Sequence, residues 1–300
     1  MADVLMAIYE AGFNIWNFFI EVSMGLFNTS PLEASGGTLV GTISPIYHVL
    51  LDLGLSCALV FFLVAVIKET ISAPSGQQAH RLILSGLKYG VILAILGNLW
   101  EIMRIIVNIT DNITSSSSDT VAITLSITDE ARNLITSFFS NTPEWVTGEF
   151  TSNLLNWLLY ILMVLLIFIL ALVTLFIIIA SGISIISSAF QRIIKPLIIM
   201  PFAAIMVSAG AGTGDSERVM WSFLKTFFGF CISGAAMIIC IRLGVALCNG
   251  IPIIGTVSGT GSDYKSTMIS MIYVSLQIAI TPIVVAGLIK GVDGIIQRFL

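Results

Sequence analysis

Charged residues are scarce in this chain. Only 10% of its 300 residues are Asp, Glu, Lys or Arg, whereas 57% are hydrophobic. Soluble domains usually carry about 25% charged residues. The stretch from Phe150 to Gln191 has no charged residue at all. At about 1.5 Å per residue it could extend for roughly 60 Å, about twice the hydrocarbon core of a bilayer. The composition excludes a soluble globular protein and predicts an all-α polytopic membrane protein.

Residues that carry catalytic or metal chemistry are also few. The two histidines, His48 and His80, lie in separate regions, and all four cysteines fall in apolar runs. No basic cluster of the kind that binds nucleic acid is present. A glycine-rich run from Gly210 to Gly214 lacks the strand before it and the Lys-Ser/Thr after it that a phosphate loop needs, so it predicts a turn. We expect no catalytic, cofactor-binding or metal site, and therefore no enzyme.

Five apolar windows are long enough to cross a bilayer. A shorter apolar run, Pro196 to Val207, lies between the third and the fourth, and its 12 residues fall below the roughly 17 that a crossing needs. We predict that this run is re-entrant or lies in the interface. The predicted spans are Ser44–Ile67, Leu82–Val107, Asn153–Ser181, Met220–Cys248 and Thr267–Ile289.

Positive side chains separate the loops into two classes. Lys68, Arg81 and Lys88 surround the first short loop and Arg192 follows the third window, whereas the segment 108–152 carries six acids against one arginine. Short loops rich in Lys and Arg stay in the cytoplasm. We therefore predict a cytoplasmic (inner) membrane protein with its N-terminus outside and its C-terminus inside. The predicted regions are an outer segment 1–43, two spans in 44–107, an outer loop 108–152, and three spans in 153–300 with a proline-containing inner hairpin 182–219.

The N-terminal segment has the pattern of an amphipathic helix. Asp3, Glu10, Asn14, Asn17 and Glu21 follow helical spacings that place them on one face, and apolar residues occupy the rest. Such a helix would lie in the outer interface, held by membrane lipid, or dock on a partner. The alternative is a sixth span, which would bury two glutamates.

A second amphipathic helix is predicted inside the outer loop. Thr128 or Asp129 can cap its start, and apolar residues then recur at helical spacing from Ala131 onward. A chain without an outer domain has little to bury this face against except the bilayer surface or another subunit. We therefore predict a partner-docking face formed by Leu134, Ile135, Phe138 and Phe139.

Two features inside the predicted spans bear on assembly. Asp52 and Lys88 are the deep charges, and as neighbours across the first two spans they suit a structural bridge as readily as an ion pathway. Small residues at four-residue intervals let another helix approach closely, either within the chain or from a second copy. These helix-packing positions are Gly86, Gly90 and Ala94 in the second span and Gly229 with Ser233 in the fourth.

The segment from Arg192 to Gly229 reads RIIKPLIIMPFAAIMVSAGAGTGDSERVMWSFLKTFFG. An arginine after a long apolar helix, an apolar run with two prolines, a glycine-rich turn and a Trp- and Lys-containing helix start resemble the central region of TrbL-type proteins. These are the polytopic inner-membrane channel subunits of type IV secretion and conjugation systems. The predicted order of outer helix, five spans, large outer loop and inner C-terminus is similar to that family over the whole length.

The resemblance implies a non-enzymatic channel or assembly subunit that forms a homo-oligomeric ring. Its implied partners are other secretion-system membrane subunits, a pilin and cytoplasmic ATPases. Its implied role is to help build the pilus and pass DNA or protein substrates. Arg192, Pro196 and Pro201 would then mark the inner hairpin, and Trp221 with Lys225 the start of the following span.

Two other functional classes compete with this interpretation. A small-molecule or ion transporter would use Asp52 and Lys88, but two related halves are expected of many transporters and five spans do not divide evenly. A membrane enzyme would need a polar constellation at one membrane face, which the sequence lacks. Candidate channel or assembly residues are therefore Asp52, Lys88, Arg192, Pro196, Pro201, Trp221 and Lys225.

Overall fold

The computed structural model describes residues 1–72, 74, 76–118, 124–140, 154–250 and 264–299. Every regular element in these ranges is helical, which confirms the predicted all-α class. Short 3-10 turns lie at Ala34–Gly37, Met200–Phe202 and Ala209–Ala211. The α-helices are α1 (Ala2–Asn28), α2 (Thr38–Ser72), α3 (Gln78–Gly97), α4 (Leu99–Ser118), α5 (Asp129–Ser140), α6 (Leu154–Ile199), α7 (Ala203–Ser208), α8 (Asp215–Gly250) and α9 (Tyr264–Phe299).

Five helical stretches in the described part of the chain are long and apolar enough to cross a bilayer, as predicted. The third stretch has 58 residues, far more than the roughly 20 that one crossing needs. The stretches are Thr38–Ser72, Gln78–Gly97, Leu154–Ala211, Asp215–Ala246 and Ile269–Val292.

The boundary of the second predicted span was wrong. Instead of one helix from Leu82 to Val107, α3 ends at Gly97 and α4 begins at Leu99. Asn98 lies between them, and its side-chain amide donates to the carbonyl of Ala94 at 3.0 Å, which competes with continued helix formation. Helix α4 then extends to Ser118, so the first part of the predicted outer loop is helical. Residues 119–123 and 141–153 of that loop lie outside the described residues.

The chain divides into two compact units, which we describe separately. Unit 1 comprises Met1–Met24, Thr120–Ser188 and Ile239–Gly291, and unit 2 comprises Gly25–Asp119, Ala189–Ile238 and Val292–Leu300.

In unit 1, α1 buries one face in the protein. Leu5, Trp16 and Ile20 are almost fully buried. The Tyr9 hydroxyl is 2.6 Å from the hydroxyl of Ser275 in α9. Four of the five residues on the predicted polar face of α1 are exposed, whereas the fifth, Asn17, is half-buried and exchanges two hydrogen bonds with the backbone of Leu125.

The predicted docking face of α5 is covered by the protein's own chain, which corrects its assignment as a partner surface. Helix α5 begins after Thr128, whose hydroxyl accepts the Ala131 amide as predicted for a cap. Within unit 1, Arg132 forms an ion pair of 2.8 Å with Glu10 of α1. The ring of Phe138 lies against Tyr160 of α6. The four predicted docking residues are consequently buried, namely Ile135 and Phe138, or half-buried, namely Leu134 and Phe139.

In unit 2, α2 and α3 form an antiparallel pair. The rings of Phe62 and Tyr89 stack with centroids 4.5 Å apart, and the Ser85 hydroxyl donates to Glu69 at 2.5 Å nearer the connecting turn. A third helical segment packs against α2 at Gly54. A Cβ atom at position 54 would lie 2.8 Å from the carbonyl carbon and oxygen of Ala204, so the two backbones touch there.

The proline-containing segment continues along α2. Pro196 is accommodated inside α6, and Pro201 lies in the 3-10 turn at which α6 ends. Both prolines are buried in unit 2. Contacts with α2 and α3 continue from Met200 through Ala211, so this part of the chain passes lengthwise along its neighbours. The predicted interfacial or re-entrant placement of the run Pro196 to Val207 is not confirmed.

Helix α8 returns alongside α3 in the same direction as α3. Lys88 of α3 contacts Glu217 of α8, and one turn further along Ile92 and Met220 both crowd Gly210. Four helical segments of alternating direction thus form the core of unit 2: α2, α3, residues 189–211 and the first part of α8.

Candidate functional site: two ion pairs in unit 2

A buried arginine holds three segments of unit 2 together. The side chain of Arg192 is 1% exposed. Its Nη2 donates to Oδ1 of Asp111 in α4 at 2.8 Å, and its Nη1 donates to the backbone carbonyl of Phe27 at the end of α1. A guanidinium stays charged, so its burial requires a counter-ion and hydrogen-bond acceptors. Asp111 supplies the charge, and the unsatisfied carbonyl at the end of α1 supplies an acceptor.

A glycine makes room for this arginine. Gly234 of α8 lies directly beneath the guanidinium, and a Cβ atom at that position would overlap Nε of Arg192 and the carbons on either side of it. Arg192 and Gly234 therefore form a matched pair that the sequence pattern did not reveal.

The side chain of Asp111, the partner of Arg192, is only 15% exposed. Burial raises the pKa of the Asp111 carboxyl above its ordinary value, while a hydrogen bond from Ser30 and the charge of Arg192 offset part of that rise. Asp111 therefore depends on Arg192 and Ser30 to keep its negative charge in this position.

The pairing corrects one part of the predicted topology. The loop charges assigned Asp111 to the outside and Arg192 to the inside, yet the two side chains are in direct contact. Residues in contact cannot lie on opposite sides of a core about 30 Å thick. Because Arg192 is buried and neutralised, it does not act as a loop charge. Arg192 therefore lies on the same side of the membrane as Asp111.

A second ion pair joins α3 to the start of α8. Nζ of Lys88 lies 2.7 Å from Oε2 of Glu217 and donates to the carbonyl of Gly212 at 2.9 Å. Lys88 thus fixes the glycine-rich turn, where Gly214 has a φ of +68° that favours glycine. The predicted partnership of Lys88 with Asp52 is wrong.

The two ion pairs lie at different heights along the helix axes of unit 2. The height of the Lys88–Glu217 pair is the Lys88 level, and the height of the Arg192–Asp111 pair is the Asp111 level. Counted along α8, Gly234 at the arginine lies 17 residues beyond Glu217 at the lysine. At 1.5 Å per residue this separation is about 26 Å, close to the thickness of the hydrocarbon core. Residues 192–212 lead from one level to the other and are long enough for a crossing.

This arrangement predicts which positions share a side of the membrane. Single cysteines at Gln77 and Thr213 should react with a membrane-impermeant maleimide from one side, and a cysteine at Ser115 from the other side. The reason is that the first two flank the Lys88 level and the third follows Asp111. Labelling of Gln77→Cys and Ser115→Cys from the same side would contradict the assignment, and labelling after permeabilisation serves as the control for accessibility.

Three further predicted residues lie on the surface of unit 2. Asp52 of α2 and Lys225 of α8 are both exposed, and neither forms an ion pair or hydrogen bond through its charged group with another described residue. Trp221 is also largely exposed and hydrogen-bonds Glu217, which places it at the level of the Lys88 pair.

The two predicted small-residue stripes have different surroundings. Gly229 and Ser233 are buried within unit 2, so they serve packing inside the chain. In α3, Gly90 and Ala94 are exposed, and a Cβ atom at Gly86 or Gly90 would meet nothing within 4 Å. The α3 stripe is therefore not packed against the rest of the described chain.

We expect Gly234→Ala to destabilise unit 2 by about 1–3 kcal/mol, since the added methyl displaces a guanidinium that is held by Asp111 and Phe27. The measurement is the unfolding midpoint of the purified protein in detergent. Gly287→Ala provides the control, because a Cβ atom at Gly287 meets nothing within 4 Å. Equal midpoints for the two variants would show that Arg192 is not held as described.

The two ion pairs of this site hold helices of unit 2 together. No group of three or more His, Cys, Asp or Glu side chains within the described ranges is arranged to hold a metal ion. Cys57, Cys231 and Cys240 are free thiols. No protein-family model matches the chain, and no curated protein or solved structure is significantly similar to it.

Proposed function

We propose that this protein is a non-enzymatic channel or assembly subunit of a type IV secretion or conjugation machine, located in the cytoplasmic membrane. The observation that carries the proposal is the stretch Leu154–Ala211, whose 58 apolar helical residues far exceed the roughly 20 that one crossing needs. The segment that resembles TrbL-type proteins begins inside this stretch, at Arg192. It covers the buried arginine, both prolines and the turn held by Lys88.

The interior of unit 2 supports a structural role for its charges. Arg192 and Lys88 are each paired with an acid at a different level of the helical core, and each also binds a backbone carbonyl. The buried Arg192–Asp111 pair fixes α6 against α4, and the Lys88–Glu217 pair, which is partly exposed, joins α3 to α8 more weakly. A charge held by a fixed partner is less available to carry an ion. In a subunit of a larger machine, such fixed helices present a constant surface to neighbours.

We also propose that the Lys88 level faces the cytoplasm. Lys68, Arg81 and Arg218 lie close to it along α2, α3 and α8. Near Asp111, Glu33 adds a second negative charge, and Arg104 on α4 is paired with Glu101. Positive residues near the ends of spans favour the cytoplasmic side. The cytoplasmic ATPases of a secretion machine would then approach the glycine-rich turn.

The test is the composition of the complex that contains this protein after gentle detergent extraction from its native host. An affinity-tagged chain should co-purify with secretion ATPases and other membrane subunits, identified by mass spectrometry. A tagged, unrelated polytopic protein expressed at the same level is the control. Recovery as a lone monomer or dimer, together with selective flux in vesicles that Asp52→Asn abolishes, would instead establish the transporter.

A further inference from the structure

Two opposite charges are exposed on the surface of unit 2 inside segments that are apolar enough to cross a bilayer. Asp52 belongs to the stretch Thr38–Ser72, and Lys225 belongs to the stretch Asp215–Ala246. Neither charged group is bonded to the part of the chain that the structure describes. A charge that faces hydrocarbon without a partner is costly, and an aspartate is too short to reach the interface.

The level of Lys225 follows from the ion pair between Lys88 and Glu217. Helices α3 and α8 run in the same direction, and Lys225 lies eight residues beyond Glu217. The residue eight positions beyond Lys88 is Leu96, so Lys225 is level with Leu96 on α3. This level is about 12 Å above the ion pair.

The level of Asp52 follows from the stacked rings of Phe62 and Tyr89. Helices α2 and α3 are antiparallel, and Leu96 lies seven residues beyond Tyr89. The corresponding residue on α2 is Leu55, three positions from Asp52. The two charges therefore lie within about 5 Å of the same level, less than one helical turn.

Equal depth has a specific consequence in a membrane. Copies of one chain share an orientation, so any two neighbours are related by rotation about the membrane normal, and a residue keeps its depth in every copy. A charge on one surface can then meet only groups at its own depth on the adjoining copy. Lys225 is the group of opposite charge at the depth of Asp52.

We propose that Asp52 of one copy pairs with Lys225 of a second copy, so that the α2 surface of each chain docks on the α8 surface of its neighbour. This inference rests on the proposed membrane-spanning state and deepens the proposed assembly role. The surroundings fit a helix–helix contact, because apolar side chains flank both charges: Val49, Leu53 and Leu59 on α2, and Trp221 and Phe228 on α8, are exposed.

Disulfide trapping between two tagged copies tests the pairing. Ser56 and Ser222 are exposed, and each lies within four residues of one of the charges. In a background with all four native cysteines replaced by alanine, Ser56→Cys in one copy and Ser222→Cys in the other should cross-link in native membranes upon oxidation. Ile67→Cys with Ser222→Cys is the control, because position 67 lies about 16 Å further along α2.

Charge exchange provides the second readout. Asp52→Lys alone and Lys225→Asp alone should each lower the yield of that cross-link at least roughly tenfold, and the two changes combined in every copy should restore it. Absence of the cross-link with both charges intact would overturn the proposal, as would failure of the combined change to restore it. Neither result bears on co-purification with secretion ATPases, which tests the proposed function separately.

Discussion

Arg192→Ala should be among the most damaging single substitutions in this chain, with an expected loss of about 3–5 kcal/mol in the free energy of unfolding. The change leaves the largely buried Asp111 carboxylate without its counter-ion and the Phe27 carbonyl without its hydrogen-bond donor. It also opens a cavity above Gly234. The measurement is unfolding in detergent titrated with a denaturing surfactant.

Two comparisons make the result interpretable. Arg104→Ala removes an exposed arginine that pairs with Glu101 three residues earlier, and it should change stability by less than about 0.5 kcal/mol. Combining Arg192→Leu with Asp111→Leu should recover much of the loss, because both buried charges disappear together. If Arg192→Ala and Arg104→Ala unfold alike, the buried pair does not hold unit 2 together.

Gly54→Val is expected to cost about 3 kcal/mol, the upper end for overpacking, because its Cβ would meet the backbone of Ala204. A backbone carbonyl held in a helical segment cannot move aside as a flexible side chain can. Unfolding in the same detergent titration measures the effect. Gly86→Val is the matched control on α3, where a Cβ atom meets nothing within 4 Å, and it should alter stability by less than about 0.5 kcal/mol. Similar losses in both variants would mean that residues 203–208 do not pack on α2.

The helices of this protein could be predicted because apolar windows and caps are local signals. The cap at Thr128 and the start of α5 depend on residues a few positions apart, and the five apolar stretches depend on composition alone. The break at Asn98 was missed because the apolar pattern continues across it. A side-chain hydrogen bond to the preceding turn decides where that helix ends.

The contacts between helices could not be predicted, because they depend on distant parts of the chain. Asp52 and Lys88 were found as charges in apolar segments, but the true partner of Lys88 is Glu217, which lies 129 positions away. Arg192 was misplaced for a related reason. Orientation rules treat an arginine as a charge in water, and burial against Asp111 removes that property. Gly54 and Gly234 carry no signal at all until their neighbours are known.

The Arg192–Asp111 contact also sets an order of events in synthesis. Asp111 leaves the ribosome 81 residues before its partner, which at about 5–20 residues per second is a delay of roughly 4–16 seconds. The carbonyl of Phe27 at the end of α1 is made 165 residues before Arg192, its hydrogen-bond donor. Throughout this interval the nascent chain holds an acid without its counter-ion, so we expect the end of α4 to stay in contact with water until Arg192 is made.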